Sequence, residues 1–206
     1  GYDVYREFYV NDAGNQIEKF GKSLDLRYMQ LCSENGKAAM EKIADKEELI
    51  KHLYDLSGDG MEFEMPEDVY LGMDIIEHAL NFLNINGHSY AESTVAERRK
   101  ALVDYALPIN IAGLERDLKK YRIIYDNWFK ESVIHERNET KTVVDKLLEN
   151  GNAYELDGAV WFKATDYGMD KDFVLRRSNG LYTYIVPDIA YHYDKLVTRN
   201  FDKAIN

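Results

Sequence analysis

The sequence predicts an α/β fold, and two observations lead to that class. Residues 4–10 are rich in β-forming side chains, and a polar turn at residues 11–14 separates them from a helical apolar pattern. The apolar side chains recur every three or four residues, which places them on one helix face: Ile17, Phe20, Leu24, Tyr28 and Leu31. A strand, a turn and a helix form half of a parallel-sheet unit. The second observation is a β-rich stretch at residues 153–186.

The segment between these regions reads as helical and acidic. Helices are predicted over about 37–56 and 68–84, with turn signals at 57–60 and 84–89. Asp and Glu are dense from residue 41 to residue 77. We therefore interpret this part of the chain as an acidic helical insertion rather than as part of a sheet.

The chain then returns to elements that suit a sheet core. Residues 101–119 follow a helical pattern that Pro108 is expected to bend or interrupt. Residues 121–125 read as a short strand, and a polar corner follows at residues 126–128. A further helix is predicted over residues 140–148.

Two hairpins are predicted in the β-rich stretch. The first joins strands within residues 154–162 through Asp157-Gly158, a dipeptide that favours tight hairpin turns. The second joins residues 173–177 to residues 182–186. Residues 188–196 then read as a helix.

The composition excludes several classes of protein. Hydrophobic residues make up 45% of the 206 residues, which is enough for a packed core and argues against global disorder. A single cysteine, Cys32, excludes an intrachain disulfide and a multi-cysteine zinc site. The low cysteine content predicts a cytoplasmic protein, since a reducing cytosol is its natural setting. No apolar run approaches the roughly 20 residues that span a bilayer, so no membrane partner is predicted. The net charge of −11 argues against nucleic-acid binding by this chain alone.

Two pairs of candidate residues leave alternatives open. Tyr184 and Asp188 lie four residues apart, where a predicted strand meets a predicted helix. They can converge on a cationic ligand, or Asp188 can simply cap the helix. Glu131 follows two large aromatic residues and suits the recognition of a guanidinium. The alternative is a surface glutamate before a helix that Ser132 caps.

The remaining polar clusters are less specific. The turn at residues 11–14 ends a predicted strand, where open parallel sheets bind ligands, but an ordinary capped turn has the same sequence. Asp166, Asp170 and Asp172 share a loop that lacks the spacing of an EF-hand. The histidines show no zinc-ligand spacing. We therefore predict no metal site.

Three stretches resemble segments of bacterial-type arginyl-tRNA synthetases, a family of class I aminoacyl-tRNA synthetases. Residues 6–17, Arg-Glu-Phe-Tyr-Val-Asn-Asp-Ala-Gly-Asn-Gln-Ile, resemble the segment after the first class I signature helix. Residues 125–132 are similar to the family's Asp-x-Trp-x-x-Glu-Ser segment. The longest match runs from residue 154 to residue 206 and includes Thr-Tyr at 183–184 and Asp-Ile-Ala-Tyr-His at 188–192. Their order and spacing imply an internal fragment of that family's catalytic domain.

The resemblance implies an enzyme that joins arginine to its tRNA in two steps, using ATP and Mg²⁺. The positions that match the family's arginine-recognising residues are Glu131, Tyr184 and Asp188. Two carboxylates suit one planar guanidinium, and the tyrosine hydroxyl fixes the orientation of the ligand. Lysine would offer a point charge instead of the forked set of N–H donors that a guanidinium carries.

Three further residues of the first matched segment are predicted to line the active cleft: Asn11, Asp12 and Gln16. The family's two ATP-binding signatures, His-x-Gly-His and Lys-Met-Ser-Lys-Ser, are absent from this sequence. The resemblance therefore implies that the fragment holds no catalytic residue, binds neither ATP nor Mg²⁺ tightly and is inactive alone. The family's tRNA-contacting domains also lie outside the match, which reconciles the acidic charge with a tRNA partner. The parent enzyme is expected to be monomeric.

The predicted architecture is an α/β partial class I Rossmann-type catalytic domain with two insertions. Core segments are predicted at 1–30, 101–130 and 182–206, with a helical insertion at 31–100 and a β-rich insertion at 131–181. The alternative function is a non-catalytic acidic module that binds a protein or a small cation. The two ATP signatures in the adjoining coding sequence would exclude that alternative.

Overall fold

The computed structural model describes residues 1–57 and 63–205, and the chain divides into two compact units. The first unit comprises Gly1–Glu7 and Asn11–Asn127, and the second comprises Phe8–Val10 and Trp128–Asn206. Each unit has its own buried apolar cluster. The combination of helices with small sheets confirms the predicted α/β class.

The first unit is helical. Its described helices are α1 (Asn15–Cys32), α2 (Glu34–Lys42), α3 (Lys46–Asp55), α4 (Met73–Asn86) and α5 (Val95–Lys120). Helix α1 packs against α4 and α5. The predicted apolar face of α1 is confirmed, because it is buried in the core at four of its five positions: Phe20, Leu24, Tyr28 and Leu31. Helix α1 is therefore the centre of this unit.

The helical stretch predicted over 37–56 is confirmed, but two helices occupy that range, α2 and α3. Helix α2 ends at Lys42, and Ile43 has extended backbone angles. A new helix then starts because the Asp45 carboxylate accepts a hydrogen bond from the Glu48 N–H at 2.8 Å. The Asp45-x-x-Glu48 spacing is a start signal that periodicity alone does not reveal.

The second predicted helix is confirmed as α4, which begins a few residues later than predicted. It ends at Gly87, whose φ of 58° is a left-handed conformation that glycine adopts without strain. The predicted break at 84–89 therefore begins at the end of the helix. In the predicted turn at 57–60, residues 58–60 lie outside the described part of the chain.

Helix α5 is longer than predicted and is not interrupted at Pro108. A proline removes one backbone donor, and the exposed position of Pro108 lets solvent satisfy the freed carbonyl. The start of the helix is fixed by a capping box. The Glu97 N–H donates to the Thr94 hydroxyl at 3.3 Å, and the Thr94 N–H donates to the Glu97 carboxylate at 3.1 Å.

The predicted strand at 121–125 is wrong. The Tyr121 and Ile123 N–H groups both donate to the Leu118 carbonyl at 3.0 Å. These residues therefore form the turn at the C-terminal end of α5 instead of a strand. The strand lies further on, as β2 (Asn127–Lys130), and pairs with β1 (Glu7–Val10) in a two-stranded sheet. The strand predicted over residues 4–10 is confirmed, but as β1 it is shorter and begins at Glu7.

The second unit combines helices with a three-stranded sheet. Its further elements are α6 (Glu131–Glu136), α7 (Glu139–Glu149), β3 (Ala153–Leu156), β4 (Ala159–Phe162), a 3₁₀ turn (Ala164–Tyr167), β5 (Phe173–Arg176), α8 (Ile185–Tyr193) and a π-helical turn (Asp194–Thr198). The sheet order is β3-β4-β5, and both pairs are antiparallel. The first predicted hairpin is confirmed: Asp157 and Gly158 have φ values of 51° and 76°, as a type I′ turn requires.

The second predicted hairpin is only partly present. Strand β5 forms, but its partner is reduced to one bridge between Arg176 and Tyr182. The Val186 N–H already donates to the Thr183 carbonyl at 3.1 Å, so the chain turns into a helix where a strand was predicted. The helix predicted over 188–196 is confirmed and begins earlier, as α8.

The predicted division into core segments and insertions stays a prediction, since compactness alone does not test it. Among the described residues, no helix is both long enough and apolar enough to cross a membrane.

Candidate functional site

Glu131 is the first residue of α6 and directly follows β2. Its side chain is only 13% exposed, so it is not a surface glutamate. The residue at the N-cap position is Lys130, which also rules out the alternative in which Ser132 caps the helix. The His135 imidazole lies one turn further along, with 3.4 Å between its Nε2 and a Glu131 carboxylate oxygen.

Asp188 lies in the first turn of α8, and Tyr184 immediately precedes that helix. No side chain caps α8 at Tyr184, so the alternative in which Asp188 serves only as a helix cap is wrong. Asp188 is exposed, and Tyr184 is 87% exposed. Both side chains therefore remain accessible at the start of α8.

Tyr9, in strand β1, has a hydroxyl oxygen that is shielded from solvent. Burial raises the pKa of Tyr9 far above its usual value, the Glu131 carboxylate raises it further through its charge and a hydrogen bond, and the charge of Asp188 adds to the effect. The helices that carry the two carboxylates near their starts, α6 and α8, pack against each other in the second unit.

Three aromatic rings form the wall behind this site. The Tyr9 ring centroid lies 4.6 Å from that of Tyr191 and 6.2 Å from that of Phe129, and the Phe129 and Tyr191 centroids are 4.8 Å apart. Tyr191 follows Asp188 by three residues, so the two share a face of α8. The Lys195 ammonium lies 4.1 Å from the Tyr191 ring centroid, a cation–π contact.

His192 neighbours this wall without a positive charge at neutral pH. Burial lowers the pKa of His192, the positive charge of Lys195 lowers it further, and the Asp188 carboxylate opposes both effects. A neutral imidazole adds no repulsion to a cationic ligand at this end of α8.

The turn after α8 is held by a buried ion pair. The Asp194 side chain is fully buried, and one of its oxygens lies 2.7 Å from the Arg199 Nε. The Arg199 guanidinium also lies 5.2 Å from the centroid of the Phe129 ring. This pair ties the π-helical turn to the aromatic wall, so we assign it a structural role.

The three predicted cleft residues belong to the first unit. The Asn11 side-chain amide donates to the Gln16 side chain at 3.5 Å. Asp12 lines an open groove of about 400 Å³ together with charged residues of α5, Arg99 and Lys100. Neither Asn11 nor Asp12 caps α1, whose N-cap residue is Gly14 with a φ of 76°. A role in ligand binding stays a prediction for these residues.

Among the loop aspartates, Asp172 has a structural role. Asp172 accepts hydrogen bonds from the Thr165 N–H at 3.0 Å, the Thr165 hydroxyl at 2.8 Å and the Tyr154 hydroxyl at 3.0 Å. It therefore holds the loop to the sheet. The described residues include no group of three or more His, Cys, Asp or Glu side chains that could hold a metal ion.

Sequence reasoning missed Tyr9, Phe129 and Tyr191. All three residues lie within stretches that the sequence singled out. They were assigned there only to the apolar pattern of a strand or a helix. Tyr9 could have been found from its position, because its phenol lies near the carboxyl end of a strand, where open parallel sheets bind ligands.

A family model described as tRNA synthetases class I (R), catalytic domain, matches residues 1–206. An arginine–tRNA ligase of Caldanaerobacter subterraneus subsp. tengcongensis is 47% identical over 206 residues, which is 100% of this chain and 32% of that protein. An arginine–tRNA ligase of Acetivibrio thermocellus is 44% identical over the same span and with the same coverage of both chains. The chain thus spans about a third of the length of these relatives.

A crystal structure described as that of an arginyl tRNA synthetase from Campylobacter jejuni has a similar fold. It superposes with a TM-score of 0.73 and 27% sequence identity. The similarity covers 98% of this chain and 38% of that one. The fold likeness therefore extends over both compact units.

Proposed function

The chain belongs to the family of class I (R) tRNA synthetase catalytic domains, and we propose that it recognises the arginine substrate of an arginine–tRNA ligase. The ligase would activate arginine with ATP and then transfer it to its tRNA. The relatives are named as arginine–tRNA ligases, and the proposal assigns part of that activity to this chain, which covers 32% of their length. It assigns arginine recognition to Glu131, Tyr184 and Asp188.

The observation that carries the proposal is that α6, which begins with Glu131, and α8, which carries Asp188 in its first turn, pack against each other in the second unit. A guanidinium is planar and carries five N–H donors in a fixed fork, so two carboxylates on different helices can each accept from one edge. The low exposure of Glu131 strengthens such a contact because less water competes for it. Lysine, with one compact ammonium, would satisfy the pair poorly.

Tyr184 and the aromatic wall complete the proposed site. The exposed Tyr184 side chain at the start of α8 leaves its hydroxyl accessible to orient the ligand. Tyr191, three residues after Asp188 in α8, contributes an apolar ring to the wall beside it. The proposed recognition therefore combines the charge of two carboxylates, the orientation of the ligand by the Tyr184 hydroxyl and an apolar surface.

ATP, Mg²⁺ and tRNA enter the proposal as partners of the complete ligase. The sequence lacks both ATP-binding signatures, and the described residues contain no acidic cluster suited to a metal ion. We therefore assign no step with ATP or Mg²⁺ to residues of this chain. A cytoplasmic, monomeric ligase without a membrane partner is part of the same proposal.

A calorimetric titration with arginine tests the assignment. We expect saturable binding to the wild-type chain and a loss of about tenfold or more in affinity in Glu131→Gln and in Asp188→Asn, since each removes a charge-assisted contact. Glu136→Gln is the matched control, because Glu136 is exposed on the same helix as Glu131. Wild-type affinity in both site variants would show that arginine is recognised elsewhere.

The net charge of −11 favours one other function, that of an acidic module that binds cations without catalysis. Such a module would bind spermidine and lysine about as well as arginine, because net charge attracts every cation. The proposed site instead requires a clear preference for arginine. Competition between these three ligands in the same calorimetric assay separates the two functions.

A further inference from the structure

We propose that Arg27 forms a binding site for a small oxyanion, such as inorganic phosphate, in the first compact unit. The site lies where helix α1 meets the C-terminal end of α3. Its binding group is one edge of the Arg27 guanidinium. The bound ion would stabilise the first unit, and the inference does not depend on arginine recognition by the second unit.

The first support is a positive charge that is buried without a carboxylate beside it. Arg27 is only 1% exposed, and among the described residues no carboxylate pairs with it. Burial lowers the pKa of its guanidinium to about 10, so the group is still charged at neutral pH. A second buried arginine of the same unit, Arg98, has such a partner in Asp25. Because an unpaired charge away from water is costly, an anion beside Arg27 would be strongly favoured.

The second support is the fixed orientation of the guanidinium. Its Nη1 donates to the Gln30 side-chain oxygen at 2.9 Å and also to the Ser57 hydroxyl. The Gln30 amide nitrogen in turn donates to the Leu53 carbonyl at 3.3 Å and to the Ser57 hydroxyl at 3.2 Å. These bonds turn the Gln30 oxygen towards Arg27. The guanidinium is therefore held in place before a ligand binds, which lowers the entropic cost of binding.

The third support is the pair of donors that Arg27 does not use within the protein. Its Nε and Nη2 are shielded from solvent and have no hydrogen-bond partner among the described residues. These two nitrogens lie on one edge of the planar group, and their N–H bonds point in nearly the same direction. Such an edge fits two oxygens of one phosphate or carboxylate, whereas a halide ion offers a single atom. One oxyanion would therefore satisfy both donors and balance the charge.

The test is a phosphate titration of the melting temperature of the 206-residue chain, with chloride at equal ionic strength as the reference ion. We expect phosphate to raise the melting temperature saturably, by about 5–10 °C at about a hundredfold excess over its dissociation constant, and chloride to raise it far less. In Arg27→Met the phosphate shift should disappear, because the donors are gone while a long apolar side chain remains. Arg116→Met is the matched control, since it makes the same change at an exposed position of α5 and should keep the full shift.

The wild type and the Arg27 variants each decide the inference. Equal shifts from phosphate and chloride in the wild type would overturn it, and so would a full phosphate shift in Arg27→Met. If Arg27→Met does not fold, Arg27→Lys replaces it, because lysine keeps the charge without the forked donors and should bind phosphate at least about tenfold more weakly. Unchanged affinity in Arg27→Lys would overturn the inference. If neither variant folds, the comparison of the two ions in the wild type decides.

A last arm separates a free ion from a carboxylate of the chain itself. Asp59 and Glu62 lie outside the described part of the chain, and their oxygens have the same chemistry as those of a free ion. A phosphate shift that is absent from the wild type but present in Asp59→Asn or Glu62→Gln would show that one of these side chains takes the Arg27 edge. That result would overturn the inference. Wild-type shifts in both variants would support it.

Discussion

The rings of Tyr9 and Tyr191 pack against each other with 4.6 Å between their centroids, although 181 residues lie between them in the chain. This contact joins a strand near the start of the sequence to a helix near its end within one compact unit. In the same unit, α6 and α8, which carry Glu131 and Asp188 near their starts, pack against each other. The wall is therefore the framework of the proposed arginine site.

Removing the Tyr191 ring should weaken both the fold and the site. Tyr191→Leu loses the ring contacts with Tyr9, Phe129 and His192 and the cation–π contact with Lys195, and we expect it to lower the free energy of unfolding by about 2–4 kcal/mol. Tyr191→Phe keeps the ring and should lose less. Urea unfolding of the two variants measures the difference, and equal losses would show that the ring contacts contribute little.

The stability of the second unit should fall in mild acid because of His192. Its folded pKa is lowered, so the unfolded state binds the proton more tightly. The contribution is complete above the unfolded pKa of about 6.5 and is lost as the pH falls through the folded value. We expect His192→Gln to lose less stability than the wild type between about pH 7.5 and about pH 5.5. Identical pH slopes in urea unfolding would contradict this role.

Two glycine substitutions should have opposite effects. Gly158 has a φ of 76° in the hairpin turn, so Gly158→Ala should destabilise the protein by about 1–2 kcal/mol. Gly113 lies in helix α5, and a methyl group there would approach only the Arg116 side chain at 3.7 Å. Gly113→Ala should therefore stabilise the protein by about 0.5–1 kcal/mol. Thermal unfolding of both variants checks the pair, and the same sign in both would contradict the backbone argument.

The 206-residue chain should catalyse no arginine-dependent exchange between ATP and pyrophosphate, with or without tRNA. The reason is the absence of both ATP-binding signatures from its sequence. A complete arginine–tRNA ligase assayed under the same conditions provides the positive control. Robust exchange by the chain would show that other residues can bind and activate ATP.

The sequence predicted the elements whose signal is local. The face of α1 and the Asp157-Gly158 turn were correct because apolar periodicity and turn chemistry act within a few residues. The strand predicted over 182–186 is reduced to one bridge because Ile185 and Val186 pack as the first residues of helix α8 instead, where tertiary contacts override local propensity.

The candidate site was predictable only in part. Glu131 and Asp188 came from matched motifs, but neither motif indicates that the helices that carry them pack against each other. Tyr9 reads as one β-forming residue among several, and its partners lie more than a hundred residues away. Only the packing of β1, β2 and α8 shows which side of the strand it faces.

A structure of the chain with bound arginine would show whether Glu131 and Asp188 recognise the ligand. We expect guanidinium nitrogens within about 2.7–3.2 Å of carboxylate oxygens on both residues, with the ligand beside the aromatic wall. A guanidinium bound elsewhere, with both carboxylates turned away from it, would overturn the proposed arginine site.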